Sequence, residues 1–256
     1  MPIEPLLAVG AVALGLVVGS YLNVVVHRLP RGESTVLPPS RCPACGARIR
    51  ALENVPVLSW LALRGRCAHC GARISWRYPL VEAATAGLFL ACLLRFGATP
   101  RAAASAFLCA LLVVLGLIDA EHLLLPDRLT LPGIAAGLAL QSWLPVPLLD
   151  AVLGALVGAG GLILVINVWY WLRDEEGMGL GDVNLLAMIG AFLGWQGVVV
   201  ALLVGAFSGA LVGLTLMATG RVRLSSKLPF GTFLALGGVV ALFFGEALVA
   251  GYARLL

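Results

Sequence analysis

Unbroken apolar runs close to twenty residues long dominate the chain and decide what it can fold into. At about 1.5 Å of rise per residue, such a run crosses the ~30 Å hydrocarbon layer of a bilayer as a helix, with its backbone polar groups paired internally. A transmembrane barrel would instead alternate apolar and polar positions in strands of about ten residues. Composition agrees with helices: 61% of the 256 residues are apolar, 12% are charged, and the mean hydropathy is +1.01. A water-facing surface needs about a quarter charged residues, so soluble globular and intrinsically disordered chains are both excluded. The predicted fold class is an all-α polytopic membrane protein.

Runs bounded by charge, Pro or Gly predict eight transmembrane helices, at about 5–26, 79–94, 102–118, 129–147, 150–172, 182–195, 197–218 and 229–252. No basic stretch with a small-residue cleavage site precedes the first run, which is expected to stay as an anchor. Three parts follow: a first transmembrane helix over 1–26, a small polar domain over 27–78, and a membrane domain of about seven helices over 79–256. With eight crossings, segment 27–78 shares a side with the connections near 119–128, 173–181 and 220–228. Those four segments hold 14 of the 17 basic residues, and Arg95, Arg101 and Arg254 remain for the other side. The positive-inside rule then predicts that the polar domain faces the cytoplasm and both termini lie outside it. The net charge of +4 therefore reports orientation in the lipid bilayer, and no nucleic-acid partner is expected.

Within the polar domain, Cys42-x-x-Cys45-Gly46-Ala47-Arg48-Ile49 and Cys67-x-x-Cys70-Gly71-Ala72-Arg73-Ile74 repeat one another. A C-x-x-C followed by Gly is the pattern of a metal knuckle, in which the turn aims backbone amides at the thiolates. Four sulfurs from two knuckles can close a tetrahedron around Zn²⁺ at about 2.3 Å per bond. A cytoplasmic location disfavours disulfides, and so short a polar segment lacks a core of its own, which points to structural Zn²⁺ on Cys42, Cys45, Cys67 and Cys70. His69 is expected to face solvent, with a fifth-ligand role as the alternative. Cys92 and Cys109 read as small buried apolar residues.

Carboxylates embedded near mid-bilayer cost about 2.5–3.5 kcal/mol on insertion scales, so the few that occur point to function. Asp119 closes the third run at the membrane edge. Asp182 opens the sixth, behind glycines at 177, 179 and 181 that leave room for a closely approaching strand. The derived topology puts both on the cytoplasmic side. Two carboxyls side by side share a proton: one acts as general base on a water while the other donates a hydrogen bond to a scissile carbonyl. The simpler alternatives are a helix cap for Asp182, and pairing with Arg101 or Arg128 for Asp119. Asp127 reads as a cap for the fourth helix, and Asp174, Glu175 and Glu176 as loop charges able to attract a basic substrate. Glu82 and Glu246 are left outside the pair.

The stretches around Gly19 to Val25, Arg28-Leu29-Pro30, Glu53 to Trp60, Arg64 to Cys67, Arg77 to Glu82, Asp119 to Thr130, Gly177 to Ala187 and Pro229 to Ala235, with the paired C-x-x-C, resemble the type IV prepilin peptidases over nearly the whole chain. The resemblance implies a bifunctional enzyme of the bacterial inner membrane with a G-x-G-D aspartic protease site. Such enzymes cleave the basic leader of prepilins and type II secretion pseudopilins after Gly, then N-methylate the new N-terminal residue with S-adenosylmethionine. Asp119 matches the family's first catalytic aspartate, Asp182 that of G-x-G-D, the four cysteines the zinc-type motif, and 53–67 the loop associated with methyl transfer. Asn184 stands where the family commonly has Lys, and Tyr21 replaces the usual Phe. Two rival readings, a zinc-regulated membrane transporter and a membrane scaffold, account less well for polar residues gathered at one end of the spans and for the G-x-G-D pattern.

Overall fold

In the computed structural model, residues 4–174, 179–220 and 228–254 are described, and they divide into two compact units, Met1–Ala110 and Leu111–Leu256. The expected charges at Glu175, Glu176, Arg221, Arg223 and Lys227, and the glycine at 177, lie outside the described residues. Among the described residues, six helices are long and apolar enough to cross a membrane. The chain is a multi-pass membrane protein.

In the first unit, α1 (Pro5–Arg28) starts on a proline, which the first turn of a helix tolerates because its N–H needs no partner there. It packs antiparallel on α3 (Arg77–Phe96): a Cβ on Gly15 would lie 2.5 Å from Ala86 Cα, and one on Gly19 would lie 2.7 Å from Glu82 Cα. Glycines four apart share one helix face, so the bare face of α1 admits the α3 backbone. The connection between them carries one short α-helix, α2 (Leu58–Ala62), two 3₁₀ turns at Leu29–Arg31 and Ala51–Asn54, and isolated bridges at Arg41–Arg48 and Arg66–Arg73. Cys42 is its only buried apolar side chain, so packing alone cannot hold it. Cys92 on α3 and Cys109 on α4 (Pro100–His122) are buried with sulfurs 3.9 Å apart, the apolar role expected of them.

The second unit contains the end of α4, then α5 (Asp127–Ala139), α6 (Leu148–Arg173), α7 (Leu180–Ala218) and α8 (Phe230–Ala253). Gly154 of α6 meets Gly190 and Gly194 of α7, and Gly158 meets Leu186, so α6 and the start of α7 run antiparallel. At Gly194 (φ 70°, ψ −179°) the chain leaves helical geometry and turns back. The contacts require the reversal. Ile189 and Leu112 both touch Gly238, after which Ala201 lies against Gly237, Gly205 against Leu234, and Gly213 against Leu228. The second limb of α7 thus returns beside α8 toward the end where Asp182 began.

The sixth and seventh predicted helices are these two limbs, and the eight predicted runs each correspond to a helical limb with shifted ends. The third run continues to His122, which puts Asp119 inside α4 rather than beyond it. The fourth run, predicted to 147, ends after 13 residues at Ala139. Pro145 and Pro147 push the residues before them toward extended backbone, and the Gln141 amide donates to the Gly137 and Ala191 carbonyls, closing the helix.

A φ of 70° with ψ near 180° is accessible in practice to Gly alone, and another residue there is strained by about 1–3 kcal/mol. Gly194→Ala should therefore lower the melting temperature in detergent by several degrees, while Gly10→Ala, where a Cβ meets nothing within 4 Å, should not. Equal melting of the two variants would refute the turn.

Candidate active site

Asp119 lies near the C-terminal end of α4, 6% exposed, held by the first turn of α8. Its Oδ2 accepts the Thr232 backbone N–H at 2.7 Å and lies 3.2 Å from Thr232 Oγ1. That hydroxyl also reaches the Gly116 carbonyl at 2.9 Å, so its single proton serves one acceptor at a time. The amides of a helix's first turn lack intrahelical partners, which is why Thr232 has an N–H to offer. A Cβ on Gly231 would sit 3.1 Å from Asp119 Oδ2, so glycine there leaves the carboxyl its space. Among the described residues, Thr232 and the Gly231 backbone are the hydrogen-bond partners of Asp119.

Asp182 is the third residue of α7 and is 9% exposed. Gly179 is the N-cap, so Asp182 is not the cap that sequence allowed; its carboxyl accepts the Gly179 N–H instead. The carboxyls of Asp119 and Asp182 are near enough for their charges to act on each other. Leu125 links their surroundings, because a Cβ on Gly181 would lie 2.8 Å from Leu125 Cβ and one on Gly231 2.7 Å from Leu125 Cδ1. Asp127 makes no cap; its Oδ1 accepts from Asn184 Nδ2 at 2.9 Å. Sequence reasoning missed Thr232, Gly231, Leu125 and the Asp127–Asn184 pair. The signals for them were the Asp119 to Thr130, Gly177 to Ala187 and Pro229 to Ala235 stretches, which carried a resemblance but gave these residues no such role.

The four thiols of the first unit form a separate centre. Both knuckles use one hydrogen-bond scheme: Cys42 N–H donates to Ala47 O (2.9 Å) and Gly46 N–H to Cys42 O (2.8 Å), as Cys67 does to Ala72 (2.8 Å) and Gly71 to Cys67 (2.9 Å). Gly46 and Gly71 take φ of 71° and 72°, which closes each turn. The four sulfurs lie within 4.8 Å of one another, and Cys42 and Cys70 are 3.9 Å apart, a donor set that could hold a metal ion. Backbone amides of Cys45 and Ala44 pull the Cys42 thiol down to about 7, and those of Cys70 and His69 lower Cys67. At Cys70 the Ala72 amide favours the thiolate, but the neighbouring sulfurs of Cys45, Cys67 and Cys42, with burial, push it up to about 11. His69 Nε2 lies 3.6 Å from Glu53 Oε1 and is not among the candidate ligands.

A cavity of about 480 Å³ also lies in the first unit, lined by Asn23, Arg41, Trp60, Arg73, Tyr78 and Glu82 among others. Its size suits a small organic ligand, and its lining mixes aromatic rings, arginines and a buried carboxyl.

Together these features define a polytopic membrane protein with a buried aspartate pair and a four-thiol centre. Known proteins make the class specific. The Bacterial Peptidase A24 N-terminal domain matches residues 13–96, and the Type IV leader peptidase family matches residues 106–214. A prepilin leader peptidase/N-methyltransferase of Burkholderia pseudomallei is 45% identical, aligned over 92% of this chain and 84% of its own. Proteins of the same description from Pseudomonas putida (43% identical, 96% and 93%) and Pseudomonas aeruginosa (40% identical, 94% and 91%) are similar over comparable lengths. No solved structure matches. The chain belongs to the type IV leader peptidase family.

The purified protein should carry close to one metal ion per chain by elemental analysis, and Cys45→Ser or Cys70→Ser should each remove most of it. Full occupancy in either variant would reject the four-sulfur site.

Proposed function

We propose that this protein is an intramembrane aspartic endopeptidase of the bacterial inner membrane that removes the basic leader of type IV prepilins and type II secretion pseudopilins. Cleavage falls after Gly at the cytoplasmic face, and the new N-terminal residue is then N-methylated. The observation that carries this reading is the likeness, over more than nine-tenths of the chain, to proteins described as prepilin leader peptidase/N-methyltransferase. The transporter alternative finds no comparable support.

In this reading Asp119 and Asp182 are the catalytic pair. One carboxyl takes a proton from water as its oxygen attacks the scissile carbonyl, while the other, protonated, donates to the carbonyl oxygen. Collapse of the tetrahedral species breaks the C–N bond, and the leaving amine takes a proton from the pair. Thr232 holds Asp119 through its N–H and hydroxyl, so the carboxyl meets the substrate in one orientation. The basic leader lies on the cytoplasmic side, where Asp127 and Asp174 would attract it, and the apolar prepilin helix stays in the bilayer.

Zn²⁺ suits the thiol centre: sulfurs 3.9 Å apart are close to the edge of a tetrahedron with bonds of about 2.3 Å. Cys42, Cys45, Cys67 and Cys70 would fill all four positions, which makes the metal structural. S-adenosylmethionine, when bound, supplies an electrophilic methyl group on a sulfonium. The orientation proposed puts the thiol domain, 27–78, and the aspartates of the membrane domain, 79–256, toward the cytoplasm.

Asp119→Asn and Asp182→Asn should each reduce cleavage of a purified prepilin by at least about 100-fold, with metal content unchanged. Retained cleavage in either variant rejects the pair. Thr232→Val keeps the N–H and loses the hydroxyl, so cleavage should fall about 3- to 10-fold, with Thr232→Ser restoring it.

A further inference from the structure

Glu82 is a buried ionisable group that the peptidase reading does not use. It sits in the first two turns of α3, 7% exposed, and no cation is paired with it among the described residues. Its Oε2 accepts the Val57 backbone N–H at 2.7 Å, and the Ser20 hydroxyl is a further partner. Hydrogen bonds relieve part of the cost of burying a carboxyl, but a counter-charge is missing, and that combination marks functional sites.

The residue that Glu82 grips is itself unusual. Val57 has φ 60° and ψ −51°, and Leu58 N–H closes on Pro56 O at 2.6 Å, which makes a tight γ-turn of the rare, strained hand. A β-branched residue at positive φ persists only where its surroundings impose it, and such strain gathers at ligand clamps. Asn54 on one side of this turn and Ser59 on the other both line the 480 Å³ cavity, as does Glu82. Asn23, 3% exposed, lines it too; its Nδ2 donates to the Gly19 and Tyr78 carbonyls, while its Oδ1 has no partner. An orphaned acceptor and an unbalanced carboxyl in one cavity both ask for a ligand that brings donors and positive charge.

We propose that this cavity binds S-adenosylmethionine, with Glu82 as the counter-charge to the donor's cationic sulfonium end; the assignment rests on the methyltransferase part of the function proposed above. Arg41 and Arg73 supply charge for the donor's carboxylate, and Trp60 and Tyr78 offer faces for a purine. Glu82 and Asn23 bind the donor in this account; neither takes part in peptide hydrolysis.

The test compares S-adenosylmethionine with its neutral thioether, S-adenosylhomocysteine, binding to the full-length metal-loaded protein by calorimetry. The wild type should prefer the sulfonium compound, and Glu82→Gln should narrow that preference about 10-fold, equivalent to loss of one charge contact. Photolabelling of the wild type with radiolabelled S-adenosylmethionine should mark peptides within 20–28, 40–49 or 53–82, a result independent of whether any variant folds. An unchanged preference in metal-loaded Glu82→Gln, or a label elsewhere, overturns the site. Wild-type protein that binds no donor and transfers no labelled methyl group to cleaved prepilin overturns the methyltransferase reading with it. Methyl transfer with the label outside the cavity overturns only the site.

Discussion

The backbone contact of α6 on α7 through Gly154, Gly190 and Gly194 is the constraint on which the second unit depends. In a bilayer no hydrophobic force drives helices together, because lipid is as apolar as leucine; they associate where small residues let backbones approach and dispersion contacts multiply. Gly154 and Gly158 leave α6 open along one face, and the first limb of α7 settles into it. Its far end can then reverse at Gly194, where Val146 and Asp150 crowd the turn. The return limb brings α8 alongside through Ala201 and Gly237, and Gly238 fits against Leu112 and Ile189. Each of these contacts fixes how far one helix stands along another. The level of Asp119 relative to Asp182 is therefore set by glycines remote from both.

The same stacking turns two helix starts toward the carboxyls. Asp182 lies in the first turn of α7, and the Thr232 N–H in the first turn of α8 points at Asp119. Helix N-termini carry partial positive charge and unpaired amides, so they offset some of what an acid costs near lipid without adding a basic side chain. The peptide dipole thus steadies the carboxyl without an ion pair. Behind the pair, Leu115, Ile118, Leu185 and Met188 are almost wholly buried. The carboxyls thus stand at the boundary of a dry interior, where a hydrogen bond is stronger than in water.

Much of this was legible in the sequence, for reasons that are themselves physical. Length and hydropathy located the eight apolar helical limbs among the described residues, including the break near 195–197 at which α7 reverses, because a bilayer admits few backbone solutions. The thiol centre was legible because its ligands recur at a fixed spacing, and Asp119 and Asp182 because acids in apolar segments are costly. The Thr232 contact was hidden: its partner is 113 residues away, and no local pattern encodes which amide of α8 will face which side chain of α4. The γ-turn at Val57 was hidden for a different reason. Valine disfavours that backbone, so local propensity argues against the conformation that Glu82, 25 residues on, holds in place. The end of the fourth run was misjudged because apolarity continues through Pro145 and Pro147 while helical geometry does not.

At Asn184, where the resemblance leads one to expect lysine, the structure shows a neutral side-chain contact. Two residues after Asp182, Asn184 donates a neutral hydrogen bond to Asp127 across 57 residues, where a lysine would have formed an ion pair. The contact ties the start of α7 to the start of α5 without adding a positive charge. With asparagine, the negative charge of Asp127 is left without a cation at that contact, beside a pair of carboxyls. The field at this edge is then more negative than a lysine would allow, and it is little screened over the few ångströms that separate α5 from the start of α7. Asparagine therefore keeps the start of α7 tethered to the start of α5 through a neutral contact.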